Sequence, residues 1–102
     1  MQQVKLISAD DCLKFALSGE IDAATSEDFY AQVCAAYEHD KKNVLFDCAA
    51  LTFIDSTTLG TFVKILKKLR ADGFDMALEK VRPNVKKLFD ICALNTIMEI
   101  RP

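Results

Sequence analysis

The stretch Leu51-Thr52-Phe53-Ile54-Asp55-Ser56-Thr57-Thr58-Leu59-Gly60 decides the fold. An apolar run stops there at an acid and three consecutive hydroxyls. Beyond them Leu59, Phe62, Val63, Leu66 and Leu69 keep helical spacing, while Lys64, Lys67, Lys68 and Arg70 take the other side. The pattern predicts a strand-to-helix passage with Ser56, Thr57 and Thr58 at the helix start. A helix N-terminus offers unpaired N–H groups and the positive end of the helix dipole, so it suits a negative group placed on Ser56. The basic residues fall late in the segment, where they complement the negative end.

Working back toward the N-terminus, Val44-Leu45-Phe46-Asp47-Cys48 is a short apolar run with little alternation. It reads as a central parallel strand covered on both faces, with Asp47 near its C-terminal end. Thr25 opens a helix whose inner face is Phe29, Val33, Ala36 and Tyr37, with Asp28 placed for a variant of the capping box. Leu13, Phe15 and Leu17 alternate with Lys14, Ala16 and Ser18 as a half-buried strand, paired with Val4 to Ile7 through a turn at Asp10-Asp11. Toward the C-terminus, Gly73 closes the helix or its loop, and Met76-Ala77-Leu78 reads as a strand. Pro83 starts a helix with core face Val85, Leu88, Phe89 and Cys92, and Ile97 to Ile100 is a last short strand. The order β-β-α-β-α-β-α-β gives an α/β fold: one domain over residues 1–102, with a mainly parallel mixed sheet, one antiparallel edge strand and about three helices. Such sheets meet their ligands at the carboxyl ends of the strands, where Gly19-Glu20-Ile21-Asp22 and Phe53-Ile54-Asp55-Ser56 are expected as neighbouring acidic loops.

The composition narrows the function. A formal charge of −2, from 15 acidic and 13 basic residues well mixed along 102, leaves no footprint for nucleic acid or for an anionic membrane. No apolar run approaches the roughly 20 residues of a membrane span, and the first residues lack a signal-peptide layout, so a cytoplasmic protein is expected. Cys12, Cys34, Cys48 and Cys92 are widely spaced without a C-x-x-C pair, and are read as reduced core thiols. His39 is the only histidine and sits among charges in an expected solvated turn. With no P-loop, G-x-G-x-x-G, triad or metal-ligand spacing, no catalytic residue, metal or cofactor is expected.

Two signatures in this order resemble the STAS family, the domain shared by sulphate transporters and anti-sigma-factor antagonists. Leu17-Ser18-Gly19-Glu20-Ile21-Asp22 is similar to the family's G-E-[LI]-D turn, and Phe53-Ile54-Asp55-Ser56 with Leu59-Gly60 is similar to its F-[MI]-D-S-S-G-L-G motif. Val44-Leu45-Phe46-Asp47 resembles the strand before that motif, and Val81-Arg82-Pro83-Asn84-Val85-Lys86-Lys87-Leu88 resembles its V-x-P-x-V-x-x-L segment. The resemblance spans almost the whole chain. It implies an anti-sigma-factor antagonist that binds an anti-sigma serine kinase, is switched off by phosphorylation at Ser56 and is restored by a phosphatase. It also implies that Asp22 belongs to the same contact surface as Ser56; Asp55, placed to orient Ser56 or meet a basic partner group, and the adjacent Thr57 and Thr58 complete the expected partner-binding set.

By position alone Ser56 is an N-cap or first-turn residue, Asp55 a capping acid, Asp22 a loop residue, and Thr57 and Thr58 first-turn spectators or second phosphoacceptors. Two departures from the family pattern motivate an alternative. Thr58 stands where the family carries glycine, adding bulk on the face a kinase would approach, and the chain ends at Pro102, soon after the last strand, which is expected to leave an apolar strip. The alternative is a non-switching STAS subunit docked on a larger assembly, such as a lipid-transport ATPase or a stress-signalling complex. A small hydrolase built on Asp22, Asp55 and Ser56 is the remote third class.

Overall fold

Alternation in the first long strand sets the sheet: Leu13, Phe15 and Leu17 are buried while Lys14, Ala16 and Ser18 are only half-buried. In the computed structural model, which describes residues 3–102, this is β2 (Leu13–Ile21), antiparallel to β1 (Val4–Ser8). The chain continues through α1 (Ser26–His39), β3 (Val44–Ile54), α2 (Ser56–Ala71), β4 (Met76–Glu79), α3 (Pro83–Ile91), a 3-10 turn at Leu94–Thr96 and β5 (Glu99–Ile100). The strands lie side by side in sequence order and β2 to β5 are parallel, so the expected mixed α/β sheet with one antiparallel edge is observed.

The helices all cover one face. Phe46 of β3 meets Phe29 of α1 at 5.8 Å and Phe62 of α2 at 5.4 Å between ring centroids, and Phe62 meets Phe89 of α3 at 5.5 Å. The expectation of a central strand covered on both faces is therefore corrected. Val44, Phe46 and Cys48 point into the core, whereas Leu45 and Asp47 belong to an open face carrying the Lys14–Glu79 ion pair at 3.2 Å and the Lys80–Asp47 pair at 3.7 Å. Asp47 also lies mid-strand, not near the end, because β3 continues to Ile54. Only β2 accompanies that second half, through register shifts at Ala16/Ser18 and Gly19/Glu20. Gly19 takes φ +69° there, a conformation that disfavours any side chain.

Three further expectations change. Among the cysteines, all free, only Cys48 is in the core, where burial first and then the carboxylates of Asp47 and Glu79 push its thiol up to about 12, so it is inert. Cys92, the C-cap of α3, is exposed, so the inner face of that helix is Val85 and Phe89 with Leu88 half-buried. Ile97 lies outside β5, after the 3-10 turn, and is exposed.

Candidate functional site

Ile21 and Ile54 are paired across β2 and β3, so the two chains leave the sheet side by side and the two acidic loops are neighbours, as expected. Asp55, in extended backbone, is the N-cap of α2: its Oδ1 accepts from the Thr58 N–H at 3.0 Å, and its Oδ2 accepts from the Ala23 N–H at 2.9 Å. One carboxylate thus closes the helix start and holds the neighbouring turn. The Thr58 N–H first, with the Thr58 hydroxyl and the Ala23 and Thr57 N–H groups, holds the Asp55 carboxyl below its ordinary value of 3.8.

A carboxyl lowered on folding stabilises the folded form above its unfolded value and loses that contribution as pH falls through the lower folded value. Wild type is therefore expected to unfold at a higher temperature than Asp55→Asn above about pH 5, with the gap narrowing on acidification below the ordinary carboxylate range. Thermal melts across pH check this, and a gap independent of pH contradicts it.

Asp22 organises its own turn. Its Oδ1 accepts from the Ala24 N–H at 3.0 Å, its N–H donates to Thr25 Oγ1 at 3.0 Å, and its carbonyl accepts from the Thr25 and Ser26 N–H groups. The capping box expected at Thr25 does not form. Thr25 is the N-cap, yet its hydroxyl is engaged with Asp22, and Asp28 accepts from Gln32 at 2.6 Å.

The three hydroxyls divide sharply. Ser56 and Thr57, the first two residues of α2, are exposed, whereas Thr58 is fully buried at 0% exposure. Its hydroxyl donates to the Ile21 carbonyl at 2.6 Å and lies 3.0 Å from Asp55 Oδ1. The reading of Thr58 as bulk on the docking face is therefore corrected, since the helical turn carries it inward against β2. The helix terminus is also less free than expected, because Asp55 already occupies the Thr58 N–H.

Phe53 is the residue that sequence reasoning did not single out as a contact. It is 45% exposed and lies opposite the exposed Glu20 on β2. The signal was a break in alternation: Leu51 and Ile54 both point inward three residues apart, which turns Thr52 and Phe53 outward together. The irregular stretch is held by the Arg82 guanidinium donating to Ala49 O, Asn84 donating to Thr52 O, and Thr52 donating to Gly19 O, at 2.9 to 3.1 Å. The two loops and the strand ends that lead into them thus carry the exposed Phe53, Glu20 and Glu27 and the half-buried Asp22. A shallow groove between α1 and α2 adjoins them at Thr57, where Lys64 lies 4.4 Å over the Tyr30 ring.

Among the described residues, no group of three His, Cys, Asp or Glu side chains is placed to hold a metal ion, and no helix is long and apolar enough to cross a membrane. His39 is exposed at the end of α1. The STAS domain model matches residues 3–102. The chain belongs to the STAS domain family. This STAS chain is 32% identical over 92 residues to an anti-sigma-B factor antagonist of Listeria monocytogenes, covering 89% of this chain and 80% of that protein. It is 33% identical over 85 residues to an anti-sigma F factor antagonist of Paenibacillus polymyxa, covering 82% and 73%. Its fold matches the unphosphorylated form of the anti-sigma factor antagonist SpoIIAA with a TM-score of 0.82 at 22% identity, over 95% of this chain and 86% of that one.

Proposed function

We propose that this STAS chain is an anti-sigma factor antagonist: it binds an anti-sigma factor that is also a serine kinase, and phosphorylation of Ser56 ends that binding. The observation that carries the reading is that Ser56 is exposed at the start of α2, beside the Asp22 turn and close in sequence to the exposed Phe53 ring. The names of its relatives support the partner class. The chain acts by binding in the cytoplasm without cofactor or catalysis, and a phosphatase resets it. Asp22, Ser56 and Thr57 face the partner, with Asp55 holding them from behind.

A phosphate adds about −1.5 to −2 charges. With Asp55 already on the helix end, it gains little from the dipole and stays displayed toward the partner. Adding the chain to a complex of sigma and anti-sigma factor from its own organism is expected to release the sigma factor in gel filtration. No release at a several-fold excess sinks the proposal.

Phe53 is expected to be an anchor of the contact, because it is an exposed aromatic ring opposite Glu20 and aromatic side chains are enriched at interface cores. Phe53→Ala should weaken binding by about tenfold or more with little change in melting temperature. Wild-type affinity in the folded variant would remove Phe53 from the footprint.

A second reading, a subunit docked permanently on a larger assembly, is favoured by one observation: Ile91 and Ile97 are 69% and 40% exposed. It calls for a stable complex that Ser56→Asp does not disturb.

A further inference from the structure

We infer that Thr58 is a positioning residue, a buried latch that fastens the Asp22 turn to the first turn of α2 and so presents Asp22 and Ser56 as one rigid surface. The functional half of this inference rests on the partner-binding reading above; the latch itself does not.

Loops after adjacent parallel strands are ordinarily separate mobile connections. A threonine further inside a helix can turn its hydroxyl back to the carbonyl four residues earlier, as Thr61 does to Thr57 at 3.2 Å, but four residues before Thr58 is Ile54, which ends β3 and lies outside the helix. The Thr58 hydroxyl instead crosses to the Ile21 carbonyl, 37 residues away, at 2.6 Å. It is fully buried, so an unpaired hydroxyl there would be costly, and of the two acceptors within reach the Ile21 carbonyl at 2.6 Å lies nearer than Asp55 Oδ1 at 3.0 Å.

A second tie reinforces the first. Asp55 Oδ1 receives the Thr58 N–H at 3.0 Å and lies 3.0 Å from the Thr58 hydroxyl, while Oδ2 receives the Ala23 N–H at 2.9 Å. Thr58 therefore joins Ile21, which precedes Asp22, to Asp55, which precedes Ser56, by its hydroxyl on one side and its N–H on the other, and the Ala23 bond ties the same turn to Asp55 separately. The family motif that this segment resembles has glycine at the Thr58 position, and glycine has no hydroxyl to make the bond to Ile21. Burial also removes Thr58 from the set of phosphoacceptors and leaves Ser56 and Thr57.

Two variants isolate the hydroxyl. Thr58→Val keeps the shape and deletes the donor, whereas Thr58→Ser keeps the donor. Amide hydrogen exchange of the free protein is expected to show Ala23 and Ser26 exchanging about tenfold or more faster in Thr58→Val, beyond any change at Phe46 and Phe62, with near-wild-type rates in Thr58→Ser. Affinity for the organism's own anti-sigma factor should fall about tenfold in Thr58→Val and recover in Thr58→Ser. Unchanged exchange at Ala23 and Ser26, or one uniform acceleration across the molecule, overturns the latch. Local acceleration with wild-type affinity overturns its positioning role. A wild-type chain that binds no anti-sigma factor refutes the proposed function instead, and the exchange pattern then decides the latch alone.

Discussion

Phosphorylated chain is expected to bind the anti-sigma factor two to four decades more weakly than unmodified chain, and Ser56→Asp to reproduce the lower end of that loss. The side chain is exposed at the first residue of α2, so a charge there can be added without opening the core. Free, the phosphate is solvated; in a complex shaped for a neutral hydroxyl it is stripped of water next to the Asp55 carboxylate. A penalty of about 3–5 kcal/mol corresponds to that range. The aspartate carries only one charge and so falls short of the phosphate. Ser56→Ala loses a hydroxyl at an exposed position and should bind like wild type. Titration calorimetry on the three forms, with melting curves to show that each is folded, is the check; equal affinities throughout would reject the switch.

Phe62→Ala is expected to cost about 3–5 kcal/mol of folding stability, the loss typical of a large aromatic removed from a packed core. Phe62 is fully buried and touches Phe29 at 5.2 Å, Phe46 at 5.4 Å and Phe89 at 5.5 Å, so one ring from α2 contacts α1, β3 and α3. Set against total stabilities of about 5–15 kcal/mol for such domains, that loss is a large share of what holds the chain folded. Phe62→Leu keeps most of the volume and should lose less. Urea unfolding at unchanged slope measures both. A loss in Phe62→Ala of under about 1 kcal/mol contradicts the packing described here.

Much of the architecture is legible in local pattern, because burial follows the backbone period. Leu13, Phe15 and Leu17 mark β2, and Phe29, Val33 and Tyr37 mark the inner face of α1. The acid after Ile54 marks the start of α2 because an extended residue with a short carboxylate is what the first free N–H groups require. The misread parts depend on distant groups. Thr58 looks like a surface residue until the Ile21 carbonyl, brought in by strand pairing, gives its hydroxyl a buried partner. The length of β3 was hidden because exposed Ala49 and Ala50 interrupt its apolar run, while the ladder to β2 carries it onward. Coverage of the sheet was misjudged because a five-residue apolar run is too short to show whether Leu45 and Asp47 meet helices or water. Phe53 resembles a core residue by type, and only the irregular turn of β3 exposes it.

The central claim, that the Ser56 hydroxyl is the modified group, is tested most directly by intact and peptide mass spectrometry after incubation with the anti-sigma kinase of the same organism and ATP. The expected result is a single added phosphate, mapped to Ser56, and none on Ser56→Ala. Chain left unmodified by a kinase that is shown to be active, or Ser56→Ala phosphorylated as fully as wild type, would contradict it.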